Sequence, residues 1–546
     1  MDLKLVKSSY RNSLKRMSNK TAYIGLFFIL LFASVLRFYH IGNFGIFGDE
    51  KQGIMVAVGN VNIGGKKALM APDKTFTPKD FWQPKTITEL LDANARGDTS
   101  GNATVHLISM NIFGKLFGHS DASLRSVSVL FNLLTIIFVF LIGKNILKSN
   151  WIGLLAALLA TTEPFFVIFS QQARFYTTCI FFSTMASYYF LQLMLYPSVG
   201  KRTYIAYTLA IILSIFSNYL NCTILLCHGL FWLATDRTWD KLKKLSICYV
   251  CMFIPFGLWM TKGPGQYALL YIKDATNLYK DILNNPALAA SYSGFIDLAS
   301  WSNLFKRGIS ILNDDFIFTN GLYEKLGSKM GVVALAVLLI AMAGILLRKA
   351  SKEQFRIFLF CGLVIFIPFV FSLLSAYNAG VMTGFYFRYT SFGLPFASIL
   401  VAWFVIEAYQ TNKLVGLGLV VIMLFQSYNF ARILVRFYRD SPQKYTASHD
   451  RIYNPYHTVA QKIIQNYAEG DTVLYPSMYE TSFSRAIARK AGEFDNNDAQ
   501  LVNLYLPKEA TYVQQIAVNE PNKVILKKKN KQSIILFDFE GNKYRY

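Results

Sequence analysis

The chain has 546 residues, of which 53% are hydrophobic and only 16% are charged, and its mean hydropathy is +0.33. A soluble domain carries closer to about a quarter charged residues, so the composition excludes an ordinary soluble protein and indicates a membrane protein. The formal net charge of +23 comes largely from lysine and arginine in short segments between apolar runs. This pattern is typical of membrane topology signals, and we therefore expect membrane lipid and no nucleic acid as a partner.

Apolar segments long enough to cross a bilayer recur through the first 430 residues. The first twenty residues are rich in lysine and arginine, so the positive-inside rule places the N-terminus in the cytoplasm and residues 42–102 outside. A second polar insert, 262–330, and the polar tail are also expected outside. The apolar segments are 23–41, 103–118, 124–146, 151–170, 174–196, 203–219, 221–235, 245–261, 331–347, 355–376, 385–409 and 413–430.

The side of the membrane predicted from the charges and the number of apolar segments disagree at one place in the chain. Twelve crossings would return the tail to the cytoplasm, and the conflict lies between residues 103 and 170. Either the short run 103–118 does not fully cross, or the run 151–170 is broken at Glu163-Pro164 into two short passes. We therefore predict an odd number of transmembrane helices, 11 or 13.

The tail has the pattern of a small α/β domain. Residues 457–467 have helical spacing, 472–475 read as a strand, and 523–526 with 533–539 read as a terminal hairpin. The expected fold class is thus mainly α: a polytopic membrane domain, 1–430, followed by a C-terminal α/β extramembrane domain, 431–546. No glycine-rich nucleotide-binding loop is present in the sequence.

Two adjacent carboxylates, Asp49 and Glu50, follow the first membrane helix behind a glycine-rich and aromatic approach. A partly desolvated carboxylate at the outer mouth of the membrane can act as the general base for an attacking hydroxyl. A solvated acidic pair at the interface fits the same spacing. We name both as candidate catalytic residues.

Two arginines begin apolar segments on the inferred outer side. Arg174 lies in the run Gln171-Gln172-Ala173-Arg174-Phe175-Tyr176, and Arg388 lies in Tyr386-Phe387-Arg388-Tyr389. A charge at the membrane has a partner or a function, and a guanidinium binds phosphate through a fixed fork of donors. We predict a donor phosphate site formed by Arg174 or Arg388, with Tyr176 and Tyr389 beside them, although structural pairing with Asp49 or Glu163 is the alternative. Arg37 and Arg125 are expected to anchor helices.

The segment from Asn102 to about Leu195 resembles the membrane core of glycosyltransferase family 39 and its relatives in the GT-C superfamily. These relatives include protein O-mannosyltransferases and bacterial lipid A aminoarabinose transferases. The resemblance rests on the order of Gly48-Asp49-Glu50, Leu116-Phe117-Gly118, Ala122-Ser123-Leu124-Arg125 and the Ser170–Tyr176 run. Many relatives have His-Pro-Pro-Leu where this chain has Asn102-Ala103-Thr104-Val105, which weakens any transfer of substrate contacts to that position.

The resemblance implies an inverting glycosyltransferase with a polyprenyl- or dolichyl-phosphate sugar donor and chemistry on the outer face of the membrane. It points to Asp49 as the essential carboxylate with Glu50 beside it, and we add Asn102 and Gln172 as substrate-lining residues. The acceptor stays open between lipid, glycan and protein. No metal-ligand set is evident in the sequence, and a divalent cation stays open because some GT-C enzymes use one.

Three other readings remain beside glycosyl transfer. A polytopic transporter or lipid flippase would fit the helix count, but the chain has no two-half repeat of segment lengths. A surface-glycan ligase or polymerase would also use lipid-linked sugars. A non-catalytic scaffold would tolerate replacement of Asp49 and both arginines. The expected location is the inner (cytoplasmic) membrane, with the site and the C-terminal domain on the periplasmic or extracellular side.

Overall fold

A computed structural model provides the architecture of the chain. It describes residues 17–46, 48–60, 74–96, 101–196, 199–291, 296–348, 350–439, 444–445, 453–476, 497–517, 520 and 522–540.

A bundle of apolar helices forms most of the molecule. The long helices are rich in leucine, isoleucine, phenylalanine and alanine, and several are preceded by a serine or asparagine whose side chain caps the first turn. The bundle helices are α1 Asn19–Phe38, α6 Asp121–Leu141 with a π-helical turn Ile142–Ile146, α7 Asn150–Thr162, α8 Pro164–Ser170, α9 Tyr176–Leu195, α10 Lys201–Ser217, α11 Cys222–Thr235, α12 Trp239–Lys262, α16 Leu322–Leu347, α17 Lys352–Ala379, α18 Phe387–Thr390, α19 Leu394–Thr411 and α20 Lys413–Tyr438.

Shorter elements surround one end of the bundle. From the first polar loop come α2 Gly48–Ala57, β1 Thr75–Phe76, α3 Pro78–Phe81, α4 Ile87–Arg96 and α5 Thr104–Phe117. From the second polar insert come α13 Gln266–Asn284, α14 Pro286–Ser291 and α15 Trp301–Asp314. From the tail come α21 Pro455–Asn466, β2 Thr472–Pro476, α22 Asn497–Asn503, β3 Gln514–Ala517, β4 Lys523–Lys527 and β5 Ser533–Asp538.

The bundle has the length and apolarity of a multi-pass membrane protein. In the described part of the chain, eight helices are long and apolar enough to cross a bilayer, and nine if the bent pair α7–α8 is one span. The bend of 58° falls at Glu163-Pro164, as the sequence suggested, because Pro164 begins α8 and Glu163 caps it. Helix α8 has seven residues and a length of about 10 Å, which is far too short for a second crossing.

Helix α5 begins and ends at the same end of the bundle. Just before its start, the Gly101 carbonyl accepts a 2.6 Å hydrogen bond from the Tyr219 hydroxyl, at the end of α10. Just after its end, Asp121 accepts a 2.7 Å bond from Asn454 of the tail. With 14 residues, α5 is about 21 Å long, short of the ~30 Å apolar thickness of a bilayer. These contacts favour the alternative in which 103–118 does not cross, while the total of 11 or 13 stays a prediction.

The turns that carry lysine and arginine lie at the opposite end of the bundle. Lys148 pairs with Glu353 at 3.5 Å, Lys241 donates to the Met194 carbonyl at 2.9 Å, and Arg356 donates to the Thr235 carbonyl. These basic turns therefore lie together at the end of the bundle away from the polar loops and the tail, as the positive-inside rule expects for turns on one side of a membrane.

A five-stranded sheet joins the tail to the first polar loop. Its strand order is β1-β3-β2-β4-β5, in which β2 and β3 are parallel and the other pairs are antiparallel. The predicted helix near 457–467, strand near 472–475 and terminal hairpin are confirmed as α21, β2 and β4–β5. The edge strand β1, at Thr75–Phe76, comes from the first polar loop and pairs with Gln514–Gln515.

One apolar core runs through both the first polar loop and the tail. Buried side chains of α2 and of the tail belong to the same cluster, which also includes residues at the start of α6. Helix α20 extends past residue 430 to Tyr438. The apolar pattern of the sequence stops near residue 430 because Arg432 and Arg436 follow, but both side chains are exposed and the helix continues through them. The tail is therefore packed on the first loop, and it begins after residue 438.

The placement of α5 can be tested by cysteine accessibility in sealed vesicles, using a background without native cysteines. Lys115→Cys at the end of α5 and Lys262→Cys at the end of α12 should react with an impermeant maleimide from the same side. Lys243→Cys and Lys352→Cys should react only from the other side. Labelling of Lys115→Cys together with Lys243→Cys would mean that α5 crosses the membrane.

Candidate active site

Helix α2 starts ten residues after α1 ends and carries both candidate carboxylates in its first turn. Carboxylates are stabilised there because they face the positive end of the helix dipole. Although Asp49 and Glu50 are adjacent in sequence, they have different surroundings. The Asp49 side chain is 37% exposed, whereas the Glu50 side chain is 1% exposed.

Glu50 forms a fully buried ion pair with Arg125 of α6. The Arg125 Nε and Nη2 atoms each lie 2.9 Å from one Glu50 oxygen, which is the bidentate arrangement of a strong pair. The same guanidinium donates to the carbonyls of Ile41 and Gly45, at 2.9 Å each. Arg125 therefore fastens the start of the first loop to α6, and the expected anchoring role of this arginine is confirmed.

The segment between α8 and α9 also contacts the buried Glu50–Arg125 pair. The Ala173 amide donates to Glu50 at 2.6 Å. Two residues earlier, the Gln171 side-chain amide donates to the carbonyls of Arg37 and Tyr39, at 3.0 and 2.7 Å, and so satisfies the end of α1. Residues 171–174 thus hold both α1 and α2, and this fixes the direction in which Arg174 projects.

Asp49 lies between the two arginines predicted from the sequence. Its Oδ2 atom accepts from Arg174 Nη2 at 3.3 Å and from Arg388 Nη1 at 3.1 Å. Arg174 also donates to the Asp49 main-chain carbonyl at 2.6 Å. Because one carboxylate is shared by two guanidinium groups, this triad carries a formal charge of +1.

Some donors of the two arginines lack a well-oriented acceptor among the described residues. The Nε atoms of Arg174 and Arg388 and the hydroxyl of Tyr176 are buried and have no hydrogen-bond partner of acceptable geometry among the described residues. A buried polar group without a partner is costly, so an unfilled set of donors around one point indicates a site for an anionic ligand.

Aromatic rings hold both guanidinium groups in place. Arg174 lies over the Phe175 and Tyr176 rings at 5.2 and 5.6 Å, and Arg388 lies over the Tyr386 and Tyr389 rings at 5.4 and 5.1 Å. The rings of Tyr176 and Tyr389 are 6.3 Å apart. These contacts restrict the arginine side chains while leaving the ends of the guanidinium groups available. The four residues predicted for the donor phosphate therefore occupy one place.

The two predicted substrate-lining residues lie apart from one another. Gln172 is buried next to Arg174, and its carbonyl accepts from the Ser128 hydroxyl at 2.6 Å. The Asn102 side-chain oxygen accepts from the backbone amides of Ala103 and Tyr219, at 3.0 and 3.1 Å, where α5 meets α10. These hydrogen bonds of Asn102 are with the helix junction and not with the triad, and a substrate contact for either residue stays a prediction.

Two further buried groups near the site were not singled out as functional from the sequence. Asp121, one helical turn before Arg125, accepts from Asn454 at 2.7 Å and from the Tyr505 hydroxyl, so the same helix holds the tail. His106 lies below the site, where its Nδ1 atom is 2.8 Å from the Thr178 hydroxyl. Burial and the nearby Arg174 lower the pKa of His106 to about 3, which favours the neutral imidazole at physiological pH.

The described residues contain no group of three or more His, Cys, Asp or Glu side chains that could hold a metal ion. The question of a divalent cation stays open, because a lipid phosphate could itself supply ligands.

The Glu50–Arg125 pair should be essential for folding. Arg125→Ala leaves the Glu50 carboxylate buried and unpaired, which costs about 3–5 kcal/mol. We expect little folded full-length protein by size-exclusion chromatography and a lower melting temperature in detergent. The double replacement Glu50→Leu with Arg125→Met should recover part of the stability because it removes both charges. Arg202→Ala, at an exposed position on α10, is the matched control; equal melting temperatures for Arg125→Ala and this control would contradict the assignment.

Comparisons with known proteins agree with this architecture. Residues 103–260 match the family model described as dolichyl-phosphate-mannose-protein mannosyltransferase. A comparison with curated proteins gives no match. Among solved structures, ArnT from Cupriavidus metallidurans in the apo state has a TM-score of 0.52 and 12% identity, with 92% of this chain and 87% of that chain covered.

Two further solved structures are less similar. ArnT from the same organism bound to undecaprenyl phosphate gives a TM-score of 0.48 and 11% identity, over 88% of this chain and 84% of that one. The Archaeoglobus fulgidus oligosaccharyltransferase with Zn and sulfate gives 0.45 and 15%, over 82% and 56%. The chain therefore has the GT-C fold that its sequence resemblance implied, and its segment 103–260 matches the family model of dolichyl-phosphate-mannose-protein mannosyltransferases.

Proposed function

We propose that the chain is a membrane glycosyltransferase that moves a sugar from a polyprenyl-phosphate donor to an acceptor hydroxyl. The observation that carries this proposal is the sharing of Asp49 Oδ2 by Arg174 and Arg388, at 3.3 and 3.1 Å. Such a triad puts a carboxylate able to take a proton next to two cations able to hold a leaving phosphate. The match of residues 103–260 to a dolichyl-phosphate-mannose-dependent family supports a lipid-phosphate donor.

The two arginines would bind the donor phosphate. Each has a buried Nε–H with no hydrogen-bond partner of acceptable geometry among the described residues, and the Tyr176 hydroxyl lies beside Arg174. A phosphate oxygen can take the position between the two guanidinium groups that Asp49 Oδ2 occupies without ligand. Donor binding then exchanges one anion for another, so the two guanidinium groups keep an anionic partner before and after the donor binds.

Displacement from the arginines would make Asp49 the general base. Its side chain is 37% exposed, so an acceptor hydroxyl can reach it. As the acceptor oxygen bonds to the anomeric carbon, its proton passes to Asp49 and the bond from that carbon to the phosphate oxygen breaks. The leaving phosphate takes the electron pair, and Arg174 and Arg388 stabilise the charge that develops on it. Attack from the face opposite the phosphate gives inversion.

In this proposal Glu50 acts as a positioning residue. Both of its oxygens bond Arg125, and one also bonds the Ala173 amide, so its role is to set the position of Asp49 relative to Arg174. The basic turns lie at the opposite end of the bundle, which supports chemistry on the non-cytoplasmic face of the inner membrane. The sugar and the acceptor, whether lipid, glycan or protein, remain to be identified.

Sugar transfer tests the proposed base. Membranes containing Asp49→Asn should transfer radiolabelled hexose from polyprenyl-phosphate hexose at least about 100-fold more slowly than wild type, because a positioned base contributes about 10²–10⁴-fold. Protein level and melting temperature should stay near wild type, since the Asp49 side chain is partly exposed. Transfer by Asp49→Asn at the wild-type rate would exclude Asp49 as the base.

A binding assay with polyprenyl phosphate can distinguish the proposed role of Asp49 from that of the two arginines, and it requires neither the sugar nor the acceptor to be known. Arg174→Ala with Arg388→Ala should weaken binding of undecaprenyl phosphate to the purified full-length chain by more than tenfold. Asp49→Asn should bind it at least as tightly as wild type, because the competing carboxylate is gone. Arg202→Ala is the matched control. Weaker binding by Asp49→Asn would contradict the proposed competition between Asp49 and the phosphate.

A further inference from the structure

A separate cavity lies where the first polar loop, the end of α5 and the tail meet. Its volume is about 180 Å³, and it opens to solvent. This is smaller than the ~300 Å³ of the smallest drug-sized sites, so the cavity suits a compact polar group rather than a whole large ligand. The described residues that line it are Val58, Trp82, Gln83, Pro84, Lys85, Thr86, Ile87, Leu90, Asn111, Lys115, His119 and Lys508.

The lining is strongly basic. It contains three lysines, Lys85, Lys115 and Lys508, and no acidic residue. None of the three has a salt bridge with a described residue. Burial together with Lys508 and Lys115 lowers the pKa of His119 to about 4, so this ring stays neutral at pH 7. Glu89 lies close enough to Lys85 to interact with it electrostatically, but the three cations outnumber this single carboxylate, and the excess positive charge favours an anionic ligand.

The walls of the cavity are held by the surrounding structure. The Trp82 indole donates to the Asn503 carbonyl at 3.0 Å, and the Lys508 ammonium lies 4.5 Å from the centre of the same ring. The Asn111 side-chain amide donates to the Ala57 carbonyl at 2.7 Å. The lysine of the tail is therefore positioned against the first loop before any ligand binds.

An exposed apolar face leads to this cavity along α5. Ile108, Ile112 and Leu116 repeat at four-residue spacing with exposures of 38%, 50% and 68%, and the neighbouring Phe117 is 67% exposed. The opposite face, with Leu107 and Met110, is buried against the protein. Since α5 lies across the end of a membrane bundle, its exposed face fits the apolar edge of a bilayer, with Lys115 at the level of the headgroups.

We propose that this cavity binds the phosphate-bearing headgroup of a membrane amphiphile, whose chains lie along the exposed face of α5. The lysines match the charge of the headgroup, and the apolar face matches its chains. The cavity is distinct from the donor phosphate site, because α2 separates the two: Asp49 lies in the first turn of this helix and Ala57 ends it, about 12 Å further along its axis. The proposal does not depend on the transfer reaction.

Native mass spectrometry of the full-length chain in detergent tests this proposal. With dioleoylphosphatidylglycerol as the probe, wild type should retain bound lipid, and dioleoylphosphatidylcholine should bind far less. The triple variant Lys85→Gln, Lys115→Gln, Lys508→Gln should lose at least about tenfold in affinity for the anionic lipid. The single variants Lys115→Glu and Lys508→Glu, each at an exposed position, should also lower the affinity for the anionic lipid. They keep the proposal testable if the triple variant does not fold.

Two controls decide the origin of the binding. The first control is the triple variant Lys523→Gln, Lys527→Gln, Lys531→Gln, which removes the same amount of charge from the β4–β5 hairpin and should leave lipid binding unchanged. The second control is Arg174→Ala with Arg388→Ala, which should still bind the anionic lipid in a way that depends on the three cavity lysines. Equal binding of both lipids, or no change in any of the cavity variants, would overturn the proposal. Lysine-dependent binding of soluble glucose 6-phosphate without binding of phosphatidylglycerol would overturn the lipid assignment and indicate a soluble phosphosugar.

Discussion

A buried ion pair between Glu50 and Arg125 sets the geometry on which the rest of the site depends. Two charges that are almost fully removed from water, with side-chain exposures of 1% and 2%, are tolerated only with close to ideal geometry and further hydrogen bonds. The carbonyls of Ile41 and Gly45 and the amide of Ala173 supply those bonds. The first loop, α6 and the start of α9 are thereby fixed to one another, and Asp49 is brought to Arg174.

The charges of the site allow a phosphate to replace the Asp49 carboxylate between the two arginines. Without ligand, Asp49 neutralises one of two arginine charges, and the remaining positive charge and unused donors favour a phosphate. The carboxylate that the phosphate would displace is the one that could then take a proton. Binding of the donor and preparation of the base are thus proposed to be a single event, which would keep Asp49 occupied until the donor is present.

The sequence predicted the groups of this site better than their contacts. Asp49, Arg174 and Arg388 stand out because each charge lies at the end of an apolar segment, and the helix, strand and hairpin of the tail have clear periodicity. No local pattern encodes that Arg388 meets Asp49 across 339 positions, or that Glu50 meets Arg125 across 75. The two-residue strand β1 is too short for periodicity to indicate, and α5 looked like a span because both of its faces carry apolar residues.

A structure of the full-length chain with bound polyprenyl phosphate, determined by cryo-electron microscopy, would test the central claim most directly. The account predicts that the phosphate lies between the guanidinium groups of Arg174 and Arg388, and that the Asp49 carboxylate has left both and faces open space for an acceptor. The Glu50–Arg125 pair should be unchanged. A phosphate bound elsewhere, with Asp49 still bridging the two arginines, would contradict the account.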